Sequence, residues 1–233
     1  HKLIVSPKGL VLDDNGRPIG YYMDYIDGEP FPRVFTNDFR QRECFGDQKA
    51  SVLVERMREA VWFAHGQKAI LADANELNWL MIMSANIPEP RIIDVDSWQI
   101  GRWPAKVIMP SIKDWHSSRF SELTDWFAWG IVSFQVYIGI HPYKGTLDGF
   151  ERGDLEGRMK ANASVFSPGI KLNRAVRSFS VVPARLLDWY AETFQNGLRS
   201  SPPSQFDKSL AVAPVVQVKH AIISGGGLPV CDK

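Results

Sequence analysis

The order of patterns along this chain predicts an α+β fold. Strand-like runs come first and helix-like runs follow, instead of the two alternating. The apolar content suffices for a buried core: of 233 residues, 45% are hydrophobic and 12% aromatic. Charged residues make up 23%, near the usual quarter for globular chains, and the net charge of +1 gives no global case for a nucleic-acid or acidic-membrane partner.

The first element is a hairpin. Leu10-Val11-Leu12 and Ile19-Gly20-Tyr21-Tyr22-Met23 flank a polar stretch containing Asn15-Gly16, the strongest short hairpin signal between apolar runs. The gap is longer than a two-residue turn, so a wider loop is expected. Asp27-Gly28-Glu29-Pro30 breaks the second strand and suggests a linker near 24–30.

From Gln48 to His65 the period becomes helical. Val52, Leu53, Met57, Ala60, Val61 and Ala64 recur at three- and four-residue steps, while Glu55, Arg56, Arg58 and Glu59 fill the other face. Gly66 is the expected stop, with His65 on the last carbonyls. Strands are expected near 79–83 and 91–95, joined by a turn from Asn86 to Pro90.

Residues 98–122 read as irregular, with Trp98, Trp103 and Trp115 either forming a binding face or packing to stiffen the segment. A strongly apolar helix is expected from Thr124 through Ile138, closed by Gly139 and Pro142. The apolar stretch Trp126 to Ile140 falls short of the roughly 20 residues that span a bilayer, so it predicts a buried helix. His141, before Pro142, reads as a turn residue. Shorter helices are expected at about Asp154 to Ala163 and Pro183 to Gln195, with Pro183 as a first helical residue. After Pro202-Pro203 the pattern fades, and Ser224 to Gly227 reads as linker or tail, a weak phosphate-loop candidate.

The two cysteines, Cys44 and Cys231, form no metal-type pair and suggest no disulfide framework, consistent with a reducing compartment. Lys2 is followed by only three apolar residues, which is no signal-peptide pattern. A cytoplasmic protein is the expectation.

The chemistry concentrates between residues 71 and 98. Asp73 stands five positions before Asn78, an apolar run follows at once from Trp79 to Met83, and a second apolar pair, Ile92-Ile93, ends in Asp94. Phosphoryl transfer from a nucleotide needs such groups: one carboxylate to orient the attacking hydroxyl, and an amide and a further carboxylate to hold the metal that neutralises the phosphates. Burying Asp73, Asn78 and Asp94 together with no cation would be costly, and magnesium suits an all-oxygen set. Asp96 reads equally as a second carboxylate at that metal or as a helix cap.

The order Asp, Asn, strand, turn, strand, Asp resembles the catalytic core of protein kinases. Leu12 to Met23 is similar to the last hairpin of the kinase small lobe, and Met23-Asp24-Tyr25-Ile26-Asp27-Gly28 resembles the gatekeeper and hinge. The resemblance implies that Met23 and the backbones of Asp24 and Ile26 would receive the adenine of ATP. Leu71 to Asn78 resembles the catalytic loop, which makes Asp73 the catalytic carboxylate and Asn78 both a catalytic-loop and a metal residue. Asn75 stands where Ser/Thr kinases carry a phosphate-supporting Lys. Asp94-Val95-Asp96-Ser97-Trp98-Gln99 takes the place of Asp-Phe-Gly, with Asp94 as main ligand of Mg²⁺.

The resemblance covers roughly residues 10 to 205 and is nearest to bacterial Ser/Thr kinase-like proteins with an Asp-x-Asn-x-x-Asn loop and an Asp-x-Asp-Ser metal motif. It further implies that Asp125 braces the catalytic loop and that Arg199 is a structural arginine. It divides the chain into a partial small-lobe hairpin and hinge at 1–26, a mostly helical large lobe at 27–205, and a tail or linker at 206–233.

Departures shape what is expected. Leu71 and Ala72 replace the family's His and Arg, so activation through a phosphorylated segment read by that Arg is not expected. Met109-Pro110-Ser111 resembles Ala-Pro-Glu only faintly, so no carboxylate partner for Arg199 is legible. No Gly-rich loop and no strand Lys with its Glu partner precede the hairpin, so the chain is either a piece of a longer protein or has lost that part. The resulting expectation is an ATP- and Mg-dependent Ser/Thr protein kinase, with a protein substrate or partner protein, and neither nucleic acid nor membrane. The alternatives are a pseudokinase that docks a partner and holds nucleotide, and a small-molecule kinase.

Overall fold

The computed structural model describes residues 1–105 and 108–204. The expected 206–233 tail, with Ser224 to Gly227 and Cys231, lies outside the described residues. The hairpin forms as read. Strand β1 (Gly9–Leu12) pairs antiparallel with β2 (Pro18–Tyr22), with Val11 opposite Gly20. Asp13 closes the loop: its Oδ1 accepts from the amides of Asn15 and Arg17 at 2.9 and 2.8 Å, and Gly16 supplies the left-handed step at φ +75°.

Three elements were not legible in the sequence. Strand β3 (Glu29–Pro30), helix α1 (Phe31–Val34) and helix α2 (Asn37–Arg42) occupy the stretch after the hairpin. Helices of one or two turns show too little periodicity to register, and tertiary packing of Phe31, Val34 and Phe39 holds them. The side chain of Thr36 caps α2 by accepting from the Phe39 amide.

Helix α3 (Asp47–Gly66) buries Leu53, Met57, Ala60, Val61 and Ala64 of the predicted stripe, while Val52 is only half-buried. Glu55 departs from expectation. It is buried rather than solvent-facing, because Arg58 and the Ser204 hydroxyl both bond its Oε1, at 2.7 and 3.0 Å. Strand β4 (Ala69–Ile70) follows α3.

Strands β5 (Trp79–Ser84) and β6 (Ile87–Ile92) form a sheet with β3 in the order β3-β5-β6. The turn expected over Asn86 to Pro90 is only Ala85-Asn86, both at positive φ (+48° and +63°), the geometry that keeps a two-residue hairpin in twist. The second strand therefore begins earlier than 91, and Pro88 and Pro90 lie inside it. They are tolerated because the amides of even-numbered residues face away from β5; the next such amide, Ile92, donates to Leu3 O at 2.9 Å. Strand β7 (Gln99–Ile100) pairs with β4.

Helix α4 (Glu122–Ile138) is the centre of the molecule, buried continuously from Thr124 to Ile138. Ser121 and Thr124 form a reciprocal capping box, which starts the helix two residues before the expected Thr124, and Gly139 ends it at φ +84°. Large side chains such as Trp129 and Phe134 each contribute on the order of 1.5–3 kcal/mol by leaving water. Gly130 leaves room for Trp189; a Cβ there would sit 3.0 Å from its ring. Helix α5 (Leu155–Lys160) and helix α6 (Ala184–Phe194) complete the fold. Pro183 is the residue before α6, not its first helical residue. No helix among the described residues is long and apolar enough to cross a membrane.

Candidate active site

The site is built outward from Asp125, in the first turn of α4 and 1% exposed. Its Oδ2 accepts from the Leu71 amide at 2.7 Å and its Oδ1 from the Ala72 amide at 2.9 Å, so one carboxylate clamps two consecutive backbone donors. This is the bracing role implied by the resemblance. Burial pushes the Asp125 carboxyl above its usual range, against the pull of His65 and the two amides. His65 does not cap its own helix, as had been expected: its Nε2 lies 2.9 Å from Asp125 Oδ2. The clamp holds Ala72 in the left-handed region at φ +58°, a conformation that costs a non-glycine residue about 1 kcal/mol or more.

The clamped turn delivers Asp73. Its carbonyl accepts from Asn78 Nδ2 at 2.8 Å, and its Oδ1 accepts from the Met109 amide at 2.8 Å. The same Asn78 Nδ2 lies 3.4 Å from Asp94 Oδ2, and the Asn78 carbonyl accepts from the Ile93 amide at 3.0 Å. The Asn78 side chain therefore bridges the backbone of Asp73 and the carboxylate of Asp94. Asp94 is itself left-handed, at φ +63° and ψ +43°, which starts the 3-10 turn Val95–Ser97.

Asp96 joins the group from that turn. Its Oδ1 accepts from the Tyr21 hydroxyl at 2.8 Å, which brings β2 of the hairpin onto the motif. Burial, then the acceptor and negative charge of Asp96 close by, raise the Asp94 carboxyl above its usual range; the Tyr21 hydroxyl, first among several contacts, lowers Asp96. The phenol of Tyr21 is raised in turn by Asp96. Two carboxylates this close repel each other when both are charged, and a divalent cation between them would offset that repulsion. With the Asn78 Nδ2 engaged by the Asp73 carbonyl, the other side of that amide, its Oδ1, and the carboxylates of Asp94 and Asp96 would supply the oxygen ligands that Mg²⁺ takes. Among the described residues no group of three or more His, Cys, Asp or Glu side chains could hold a metal ion, so a cation here would need the Asn78 amide oxygen as well as the carboxylates.

The remaining predicted residues sit differently. Asn75 is buried, and its Oδ1 accepts from the Leu77 amide at 2.8 Å, capping the 3-10 turn Glu76–Asn78; its oxygen is committed to the backbone. Met23, Asp24 and Ile26 lie in the irregular stretch between β2 and β3, with Met23 and Asp24 exposed and Ile26 half-buried. The Asp24 carboxylate pairs with Lys8 at 2.5 Å, which leaves its backbone unengaged by that contact.

Sequence reading missed two supporting residues. Tyr21 could be placed on a strand but not opposite Asp96. Asp114 carries no motif, yet it forms a two-pronged pair with Arg199: Nε to Oδ2 at 2.7 Å and Nη2 to Oδ1 at 2.9 Å. His141 is a buried anchor more than a turn residue, its Nε2 donating to Ser111 O at 2.8 Å and its Nδ1 accepting from the Tyr143 amide.

A protein-kinase-like fold accounts for this architecture. The structure of the kinase PK-1 of the Cydia pomonella granulovirus superposes with a TM-score of 0.59 at 17% sequence identity, covering 83% of this chain and 68% of that one. No protein-family model matches the chain, and no curated protein matches it by sequence.

Proposed function

We propose that this chain carries the phosphotransfer site of an ATP- and Mg-dependent kinase acting on Ser or Thr hydroxyls of a protein, with residues 27–205 as its large lobe and 1–26 as hairpin and hinge. The observation that carries this reading is the single amide of Asn78 joining the loop of Asp73 to the carboxylate of Asp94, at 2.8 and 3.4 Å. Kinase-like phosphotransfer is also what the similarity in fold to PK-1 suggests.

Asp73 keeps Oδ2 for the substrate while Met109 holds Oδ1, so the carboxylate is oriented and still able to take the hydroxyl proton as the oxygen attacks phosphorus. Asn78 and Asp94, with Asp96 beside them, would hold Mg²⁺, which supplies charge neutralisation on the phosphates. Asp125 keeps the loop in place before substrate arrives, so the acceleration comes from positioning and preorganised charge. The backbones of Asp24 and Ile26 and the Met23 side chain would meet the adenine.

A second reading, a nucleotide-holding module without transfer, draws on the same Met109 contact, since it occupies one of the two oxygens of Asp73. Labelled ATP separates the two. On the kinase reading the full-length gene product phosphorylates itself or an added protein, and Asp73→Asn lowers that rate by about a hundredfold or more while nucleotide binding persists. Transfer to amino-sugars but not to protein supports the small-molecule alternative. Binding without any transfer supports the module, and undiminished transfer by Asp73→Asn contradicts the assigned role.

A further inference from the structure

A cavity of about 530 Å³ opens where the chain leaves α4 and wraps around α5. It is formed by residues 140–173, none of which belongs to the candidate active site. Four cations line it: Lys144, Arg152, Arg158 and Lys171. One carboxylate, Asp154, also lines it, and its Oδ1 is engaged by the Gly157 amide at 2.8 Å.

Arg158 is the unusual member. It is 3% exposed, with Nε donating to Ala163 O and Nη1 to Gly145 O, both at 2.8 Å. Its Nη2 is buried and has no hydrogen-bond partner. No ion pair among the described residues engages Arg158 or the other three cations. Desolvation alone acts on its guanidinium and lowers its pKa. A buried charge with no counter-ion is expensive, and an incoming anion would offset that cost.

The walls are aliphatic. Ile140, Leu155 and Leu172 line the cavity, whereas the aromatic Tyr143 is buried and offers no free ring on which a base might stack. The backbone around the opening is pinned: Thr146 and Lys171 exchange both amide bonds at 2.9 Å, and Gly145 at φ +108° has no space for a Cβ, which would meet Leu172 at 2.8 Å. The combination is a preformed apolar cleft with a cationic border, and its charge complement is an acidic, partly aliphatic chain.

We propose that this cavity binds an acidic peptide segment of a partner protein, with a carboxylate facing Arg158 and a neighbouring aliphatic side chain between Ile140, Leu155 and Leu172. The site stands independently of the phosphotransfer reading. It would give the protein a means of choosing its partner through a surface other than the one that does chemistry.

The test is fluorescence polarisation of the full chain with a labelled peptide in which one leucine is flanked by aspartates and glutamates. Saturable binding that weakens with added salt is expected. The double variant Lys144→Glu/Lys171→Glu, at exposed positions that spare the fold, loses about tenfold or more in affinity. Replacing the peptide leucine by glycine also weakens binding, and Asp73→Asn leaves it unchanged. Arg158→Gln reports on the buried cation if circular dichroism shows the variant folded; the exposed pair carries the test if it is not. No binding at low salt, or binding indifferent to the charge reversals, overturns the proposal. Full displacement by inorganic phosphate together with indifference to the leucine overturns the peptide reading in favour of a bare anion site.

Discussion

Asp114 and Arg199 meet in a two-pronged ion pair although 85 positions separate them in sequence. Asp114 is 5% exposed; despite its desolvation, the Arg199 guanidinium holds its carboxyl below the usual range. The pair ties the segment after the 3-10 turn Pro110–Ile112 to the chain beyond α6. The sequence offered no glutamate at the Met109-Pro110-Ser111 position, and Asp114, a few residues on, provides the carboxylate instead.

Breaking that pair from one side strands a buried charge. Asp114→Ala is expected to lower the unfolding free energy by about 3 kcal/mol, read from urea denaturation. The double variant Asp114→Ala/Arg199→Ala should recover part of the loss, since neither partner is then left alone. Additive losses in the cycle would show that the two residues are not energetically coupled.

Asp125 is expected to be costlier still where the active site is concerned. Asp125→Ala leaves the Leu71 and Ala72 amides buried without acceptors, each worth about 1–3 kcal/mol. The left-handed Ala72 should then relax, and the Asp73 loop with it. Hydrogen exchange at residues 71–73 rises well above that of α4 if this clamp does what its geometry suggests. Exchange that rises equally everywhere would mean the carboxylate supports the fold without specifically holding the loop.

His141 makes stability depend on pH. Burial lowers its pKa to about 4, with the Ser111 carbonyl acting in the opposite sense. The folded chain therefore keeps the imidazole neutral while the unfolded chain protonates it near 6.5, so the unfolded state binds more protons between those values. Stability from this group is complete above about pH 6.5 and falls as pH drops toward 4, by about 3 kcal/mol in total. The difference in unfolding free energy between wild type and His141→Gln should shrink steadily across that window. A difference that stays flat from pH 7 to 4 contradicts the assignment.

Long, periodic elements were legible in the sequence. The stripe of α3, the apolar run of α4 and the Asn15-Gly16 hairpin each carry their signal within one element. The approach of Asn78 to Asp94 was legible across two elements, because the paired strands β5 and β6 bring the second motif back beside the first. What stayed hidden depends on partners remote in sequence. Glu55 is inside because Arg58 and Ser204 meet it. Tyr21 reaches Asp96 across 75 positions and His65 reaches Asp125 across 60. The short helices α1 and α2 owe their existence to packing, and Asn75 turned inward to cap a turn that no periodicity announces.

On the proposed function, nucleotide binding depends on a divalent cation held by Asp94 and Asn78. Calorimetric titration of ATP into the full-length gene product, with and without Mg²⁺, addresses it directly. Magnesium should tighten binding about tenfold or more in the wild type, and Asp94→Ala should remove that gain. ATP binding that ignores magnesium, or a magnesium effect that survives Asp94→Ala, would contradict it.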